Sequence, residues 1–258
     1  MSKKQILPIA VAAASVVTID GAQSALYVNE QGTGETLIYP FYSAQNGNNT
    51  LINVANASSG HKAVKVRILE AQNSQEVLDF NLYLSPEDHF SFSISATEDG
   101  GAKIVTGDNS CSVPAIPAGG AAFSTLKIGG SLERTQVGYV EIIEMGQLDA
   151  DSAPIIDTEG LADASRAAIN AAAAITHGGD GVPANCNILV DAWSRYSGVD
   201  GVWLAESKTT NLTGEAEFLP NWEGGGLYGY ATVINVPEGT SFGYDALAIA
   251  DHVAMGAT

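Results

Sequence analysis

The chain has 258 residues, of which 45% are hydrophobic, so it can bury a core and does not have a disordered composition. It carries 29 acidic and 11 basic side chains, a formal net charge of −18 at pH 7. A chain this acidic is repelled by nucleic acid and by anionic membrane surfaces, so we expect neither as a partner. It suits a solvent rich in salt or divalent cations, where repulsion between carboxylates is screened.

The first 25 residues are typical of a secretory signal peptide. Lys3 and Lys4 form a charged start, an apolar run covers residues 6–17, and small residues at 22–24 offer a cleavage site. The alternative is a membrane anchor, but the run is shorter than the roughly 20 residues that cross a bilayer. We therefore predict a secreted chain without a transmembrane segment in its mature part.

Alternation of apolar and polar residues with a period of two dominates the first half of the mature chain. It is clearest at residues 64–94, which contain three alternating pieces separated by short polar turns. Side chains of a strand point alternately to opposite faces, so we expect three neighbouring strands of one antiparallel sheet. Pro40 is expected at an edge or a bulge. Further strands are predicted at residues 36–42, 50–56, 121–128 and 138–145.

About seven short strands in residues 36–145 indicate a mainly β fold, an antiparallel immunoglobulin-like β-sandwich. We assign this domain to residues 26–148. An acidic loop and an Ala-rich helix over residues 161–176 form an excursion at 149–192. Residues 193–258 return to strands, notably at 226–236 and 241–249, which complete the sandwich or start a second β domain.

Two short segments echo each other, TLINVANAS from Thr50 and TVINVPEGT from Thr232. They mark a second related sandwich or two strands of one sheet.

The two cysteines, Cys111 and Cys186, are the complete set in the chain. A small even number in a secreted protein favours one disulfide over two buried thiols. The chain-entropy model gives a loop of this length about 4–5 kcal/mol, an upper figure because it ignores native strain.

Acidic residues crowd the excursion and make it a candidate calcium site, since calcium binds several oxygen ligands on flexible backbone. The spacing departs from an EF-hand loop because Ala153 and Pro154 stand where ligands and the glycine turn would come. A solvated acidic loop is the alternative that the sequence favours. The candidate ligands are Asp149, Asp151, Asp157, Glu159 and Asp180.

Catalytic motifs are weak. The segment HGGDG from His177 is similar to the oxyanion loops of esterases, but the chain lacks the G-x-S-x-G nucleophile elbow. Glu141 and Glu144 lie three apart on one predicted strand, hence on opposite faces, where they cannot act as a glycosidase pair. We read His61 and His89 as exposed turn residues, and we predict no enzymatic activity.

Aromatic side chains at the surface are candidates for stacking on sugars or packing at interfaces, although core packing is the commoner fate of such residues. Tyr39, Tyr42, Tyr83, Tyr228 and Tyr230 belong to this set. The predicted contact patch consists of Trp193, Tyr196, Trp203 and Trp222.

Several long blocks resemble a family of secreted Gram-negative proteins, in particular the S-layer-like proteins of marine gammaproteobacteria. The blocks are LIYPFYSAQNGNNTLINVANAS, AVKVRILEAQNSQEVLDFNLYLSPEDHFSFSI, TGDNSCSVPAIPAGG, GYVEIIEMG, AITHGGDGVPANC and TVINVPEGTSFGYDA. The resemblance implies a non-enzymatic component of a cell-surface layer or biofilm matrix on the outer face of the envelope. It also implies members longer than this chain, and we expect the precursor to continue beyond Thr258.

These observations together predict an extracellular structural protein that associates with itself, bridged by divalent cations such as calcium to other copies or to lipopolysaccharide. The alternative is a secreted adhesin or carbohydrate-binding module that recognises glycans through loop aromatics.

Overall fold

The computed structural model describes residues 27–148, 171–187, 189, 204–205, 208–210, 216–218 and 224–250. This part of the chain is mainly β. Its strands are β1 (Tyr27–Val28), β2 (Thr36–Ser43), β3 (Asn48–Asn56), β4 (His61–Glu70), β5 (Glu76–Leu84), β6 (His89–Ala96), β7 (Ala102–Val105), β8 (Ser112–Val113), β9 (Ala121–Ala122), β10 (Val137–Leu148), β11 (Leu204–Ala205), β12 (Lys208–Thr210), β13 (Ala216–Phe218), β14 (Leu227–Asn235), β15 (Thr240–Asp245) and β16 (Leu247–Ala250). The described residues also include a short helix, α1 (Ala171–Ile175), and two 3₁₀ turns, Leu126–Ile128 and Glu133–Gln136.

The strands form two antiparallel sheets. Sheet A has the order β8-β5-β4-β10-β2-β16-β1, and the far end of β10 also pairs with β11, which continues to β12 and β13. Sheet B has the order β15-β14-β3-β6-β7-β9. The strands β14 and β15 therefore belong to sheet B and β16 belongs to sheet A, so the C-terminal strands lie in the same two sheets as the N-terminal ones.

The chain crosses repeatedly from one sheet to the other. The hairpins β4–β5, β6–β7 and β14–β15 stay within a sheet, whereas the turn at residues 85–88 carries the chain from β5 in sheet A to β6 in sheet B. The expectation that the three strands of residues 64–94 are neighbours in one sheet is therefore wrong. The turn crosses because Phe80 packs edge-on against Phe90 and Phe92 of the opposite sheet, at 6.3 and 6.4 Å between ring centroids.

The main core lies between the sheets and is built from the inward half of each alternating strand. Its members are almost wholly inaccessible to water, and burying each large aliphatic or aromatic side chain contributes about 1.5–3 kcal/mol. From sheet A the core takes Leu37, Tyr39, Val64, Val66, Ile68, Phe80, Leu82, Val140 and Ile142. From sheet B it takes Ile52, Val54, Phe90, Phe92, Ile94, Leu227 and Ala231.

A second, smaller core covers one end of the outer face of sheet A. Tyr83 and Ala63, which point outward from β5 and β4, pack with Ala172 and Ile175 of α1. The disulfide between Cys111 and Cys186 lies in this core, with 5.2 Å between the Cα atoms, and is the bridge that the sequence predicted. It ties the excursion to the sheet, so Tyr83 is buried although it faces away from the main core.

Two local expectations change in the structure. Residues 121–128 do not form one strand: β9 has two residues and a 3₁₀ turn follows, because Gly120 is left-handed and Leu126 is exposed to solvent. The described helix, Ala171–Ile175, falls inside the range predicted for it, of which residues 161–170 lie outside the described residues. His61 begins β4 rather than lying in a turn, and is half-buried.

Pro40 lies where sequence analysis expected it. The register between β2 and β10 shifts between Gly138 and Val140, opposite the stretch of β2 that contains Pro40. Proline has no N–H to donate, so a bulge is where a paired strand tolerates it.

Candidate functional site

Most residues of the predicted sites lie outside the described part of the chain. This holds for the contact patch of Trp193, Tyr196, Trp203 and Trp222, and for the acidic residues Asp149, Asp151, Asp157 and Glu159. Asp180 is described: it is exposed in the turn after α1, and its Oδ1 accepts a hydrogen bond from the N–H of Val182 at 3.2 Å. Within the described ranges, no three His, Cys, Asp or Glu side chains are grouped so that they could hold a metal ion.

His177 contacts the turn between β5 and β6. Its Nδ1 lies 3.1 Å from Oγ of Ser85 and 3.5 Å from Oδ2 of Asp88. Burial raises the pKa of Asp88, and the attraction of His177 opposes that rise. In a Ser-His-Asp relay the serine and the acid contact different ring nitrogens. Here both contact Nδ1, so the cluster fastens the excursion to the sandwich and does not have the geometry that activates a serine.

The two glutamates of β10 have separate roles, on the opposite faces that the sequence predicted. Glu141 faces outward and binds Arg67 at 2.8 Å. Glu144 faces inward, and its Oε1 lies 2.7 Å from Nζ of Lys62, with the two side chains 2% and 0% exposed. Its Oε2 accepts a hydrogen bond from the N–H of Gly225 at 2.8 Å.

The buried pair of Lys62 and Glu144 lies in sheet A, and Glu144 also bonds to the segment that leads into sheet B. Lys62 lies on β4 and Glu144 on β10, both in sheet A, while Gly225 leads directly into β14 of sheet B. Burial raises the pKa of Glu144, although Lys62 and the N–H of Gly225 lower it. This pair was not predicted from the sequence, although a signal was present: Lys62 precedes Val64 by two positions and so shares its inward face.

A second buried carboxylate, which is satisfied by several hydrogen-bond donors, lies at the other end of β4. Glu70 is fully buried and accepts hydrogen bonds from Arg134 and from the backbone N–H groups of Gln72, Asn73 and Gln75. Burial opposes ionisation of Glu70, but these donors outweigh it and lower the pKa to about 2. A shallow cleft of about 310 Å³ lies beside it, lined by Gln45, Glu70, Ala71, Gln72, Ser131, Glu133, Arg134 and Val137. The carboxylate holds the β4–β5 turn closed.

An aromatic cluster lies at one edge of the sandwich, between β15 and β2. The rings of Phe242 and Phe41 stack at 6.4 Å between centroids, and Phe242 also contacts Tyr244 at 6.3 Å. The Tyr244 hydroxyl donates a hydrogen bond to the carbonyl of Phe41. Phe242 is 53% exposed and Phe41 38%. We call these three residues the edge cluster. It connects β15, at the edge of sheet B, to β2 of sheet A, and it leaves apolar surface exposed to water.

A second exposed aromatic pair lies on the outer face of sheet B. Strand β14 turns Leu227, Ala231 and Val233 toward the core, so Tyr228 and Tyr230 point to solvent and are 43% and 48% exposed. By contrast Tyr39, Tyr42 and Tyr83 are buried. Of the tyrosines in the predicted surface set that fall within the described residues, this pair is the one that remains exposed for contact.

Gly229 permits the backbone between the two exposed tyrosines to lie against the core. A Cβ at this position would overlap the hydroxyl of Tyr39 and the carbonyl of Asn53. Those two groups are themselves bonded, since the Tyr39 hydroxyl donates to that carbonyl at 2.7 Å. The sequence Tyr-Gly-Tyr therefore places two aromatic rings on the outer face of β14, at a point where the Tyr39 hydroxyl lies against the strand on its core side.

Comparisons of the chain with protein-family models, with curated proteins and with solved structures found no match. In the part of the chain that the structure describes, no helix has the length and apolar character to cross a membrane.

Proposed function

We propose that this chain is a non-enzymatic structural protein outside the cell, a component of a surface layer or biofilm matrix on a Gram-negative envelope that associates with copies of itself. The observation that carries the proposal is that β15, the edge strand of sheet B, also carries the exposed edge cluster. The resemblance of the sequence to S-layer-like proteins supports the location.

Strand β15 has the properties of an edge that can accept another strand. Among the described residues it pairs with β14 alone, so its second side has peptide groups without a strand partner there. Natural edge strands are commonly protected by lysine, proline or a bulge. The six residues of β15, TSFGYD, contain neither lysine nor proline, and their pairing with β14 is regular throughout. The edge therefore lacks these protections.

The apolar surface for such an association is supplied next to the strand. Phe242 and Phe41 expose about half and more than a third of their surfaces. Burying apolar area contributes about 25 cal/mol per Å², so covering these rings favours association beyond the backbone hydrogen bonds. Because aromatic residues are enriched at the centres of protein interfaces, the edge cluster is suited to become one.

Charge permits a second copy at this edge despite the net charge of −18. Two β15 strands paired antiparallel about a two-fold axis place each Asp245 opposite the other copy's Thr240. The two carboxylates then lie roughly 17 Å apart at a rise of 3.4 Å per residue. This exceeds the Debye length of about 8 Å at physiological salt, so their repulsion is screened.

We include in the proposal an immunoglobulin-like arrangement of the two sheets and bridging by calcium between copies or to lipopolysaccharide. The frequent crossing between sheets supports the first. The acidic surface supports the second, because a divalent cation between carboxylates of neighbouring copies offsets their repulsion.

Sedimentation of the purified chain over a range of concentrations tests the proposal, with calcium and with a chelator. We expect assembly that grows with concentration and calcium. Phe242→Lys places a charge in the edge cluster and should shift the protein to monomers. Leu126→Lys is the matched control, since Leu126 is 92% exposed and lies in a 3₁₀ turn outside the edge cluster. A wild-type chain that stays monomeric at high concentration with and without calcium, or equal effects of both variants, would overturn the proposal.

A further inference from the structure

A neutral surface lies in the middle of the outer face of sheet B. On the three neighbouring strands β14, β3 and β6, the outward positions between the strand ends carry no acidic or basic side chain, and this surface is bordered by Asp245 of β15 and Lys103 of β7. The outward positions are Tyr228, Tyr230, Thr232 and Ile234, then Asn49, Leu51, Asn53 and Ala55, then Ser91, Ser93 and Ser95. In a chain of net charge −18, this is a neutral surface of two phenols, amides, small hydroxyls and a few aliphatic side chains, of which Leu51 is 40% exposed.

The register of the strands places hydrogen-bonding groups beside the rings. Tyr230 lies opposite Asn53 on one side and opposite Asp245 on the other. Ser91 donates a hydrogen bond to Oδ1 of Asn53 at 2.6 Å, which fixes the amide and turns its Nδ2 donors away from that contact. The exposed carboxylate of Asp245 adds an acceptor at the end of the row. A ligand on the rings therefore meets both donors and acceptors.

The spacing of the two rings suits an extended ligand. Tyr228 and Tyr230 are two residues apart on a regular strand, which separates their Cα atoms by about 7 Å. Both project from the same face, so a chain that runs along β14 contacts the rings one after the other. The flat faces of sugar rings carry C–H groups that pack on an aromatic face, and their hydroxyls lie at the rim, where they reach polar neighbours.

The charge of this face selects among possible occupants. Nucleic acid and acidic polysaccharides need several cations, and β14, β3 and β6 offer none on this face. The basic group on the neighbouring β7, Lys103, donates from its Nζ to the carbonyl of Gly119 at 3.1 Å. A second copy of the chain needs about 800 Å² per partner around an apolar centre. The exposed parts of Tyr228 and Tyr230 add up to about the surface of one tyrosine, roughly 150–250 Å². An uncharged ligand with many hydroxyls is the occupant whose charge and size match.

We propose that the outer face of sheet B binds a neutral polysaccharide, whose sugar rings stack on Tyr228 and Tyr230 and whose hydroxyls bond with Asn53, Thr232 and Asp245. This site is separate from the edge cluster, so it stands whether or not the chain assembles through β15.

Binding of the full chain to insoluble cellulose, chitin and β-1,3-glucan tests the proposal, with alginate as an acidic polysaccharide for comparison. We expect binding to at least one neutral polymer that does not weaken as salt is raised, and none to alginate. Tyr228→Ala with Tyr230→Ala should weaken binding about tenfold or more. Tyr228→Phe with Tyr230→Phe keeps the stacking faces and should retain most of it.

Leu126→Ala is the control, because it removes a side chain that is 92% exposed and lies outside both this face and the edge cluster, so it should leave binding unchanged. Circular dichroism confirms that each variant is folded. The proposal is overturned if the wild-type chain binds no neutral polymer, if the double alanine variant binds as well as wild type, or if Leu126→Ala weakens binding equally. Loss of self-association instead of glycan binding in the double alanine variant would assign the face to a second copy and would also overturn it.

Discussion

Replacing Lys62 with methionine removes one charge from the ion pair buried between the sheets. The Nζ of Lys62 lies 2.7 Å from Oε1 of Glu144, and water reaches almost none of either side chain. Methionine keeps an apolar stem of similar length, so the change removes the ammonium group with little change in packing. Glu144 then keeps its hydrogen bond from Gly225 but loses this cation.

The expected loss of stability is large because a buried charge is left without its partner. Removing one member of a buried ion pair typically costs about 3–5 kcal/mol. Folded domains are stable by about 5–15 kcal/mol, so this change removes a substantial fraction of the total. For a domain of this size it lowers Tm by about 6–20 °C, at 2–4 °C per kcal/mol.

The loss should depend on pH in a defined direction. Burial already raises the pKa of Glu144, and Lys62 is the largest influence that lowers it, so Lys62→Met raises that pKa further. A carboxyl whose pKa is higher in the folded state than in the unfolded state loses stability as pH rises through the folded value. The variant is therefore weakest near neutral pH and recovers part of the difference toward pH 4 as Glu144 becomes protonated.

Urea unfolding followed by circular dichroism at pH 7 and near pH 4 measures both effects. Lys65→Met is the matched control, because Lys65 pairs with Asp79 on the outer face and the two side chains are 31% and 43% exposed. We expect this control to lose about 1 kcal/mol or less. If Lys62→Met costs no more than the control, or costs more at pH 4 than at pH 7, the account of the buried pair is refuted.

Two further predictions concern Glu70 and the disulfide. Glu70→Gln should lower stability by about 2 kcal/mol or more at pH 7 by weakening the bonds from Arg134 and three N–H groups. The pKa of Glu70 is lowered to about 2, so the wild type loses this stabilisation as pH falls below 4.5, the pKa of the unfolded chain. Thermal unfolding should therefore show that the stability difference between wild type and Glu70→Gln shrinks below pH 4.5. A difference that stays constant with pH would contradict the role given to Glu70. Cys111→Ser with Cys186→Ser should cost about 2–5 kcal/mol in urea unfolding, and a reductant should bring the wild type to the same stability without affecting the variant. Equal stability of the wild type with and without reductant would contradict a role for the bridge.

Local patterns determined which segments of this chain are strands. The alternation around Val64, Phe80 and Phe92 needs only the two-residue repeat of a strand, so β4, β5 and β6 were predictable within a few residues. The opposite faces of Glu141 and Glu144 follow from the same repeat. A pair of cysteines in a predicted secreted chain was enough to predict the bridge, because the chain offers one possible pairing.

Sheet membership was decided by the tertiary structure. Short polar turns follow both β4 and β5, yet the first makes a hairpin and the second crosses between sheets, because the choice depends on which apolar faces meet. The echoed segments from Thr50 and Thr232 pair as neighbours β3 and β14, a contact between residues more than 170 positions apart.

The candidate sites show the same division. The sequence by itself determined a mainly β chain, acidic, with one disulfide and with a lysine in phase with the apolar residues of β4. Only the packing of the two sheets decided that Lys62 meets Glu144, that Tyr83 is buried under α1, and that Tyr228 and Tyr230 remain in water. The physical reason is that alternation assigns a side chain to a face, whereas what covers that face is set by segments distant in the chain.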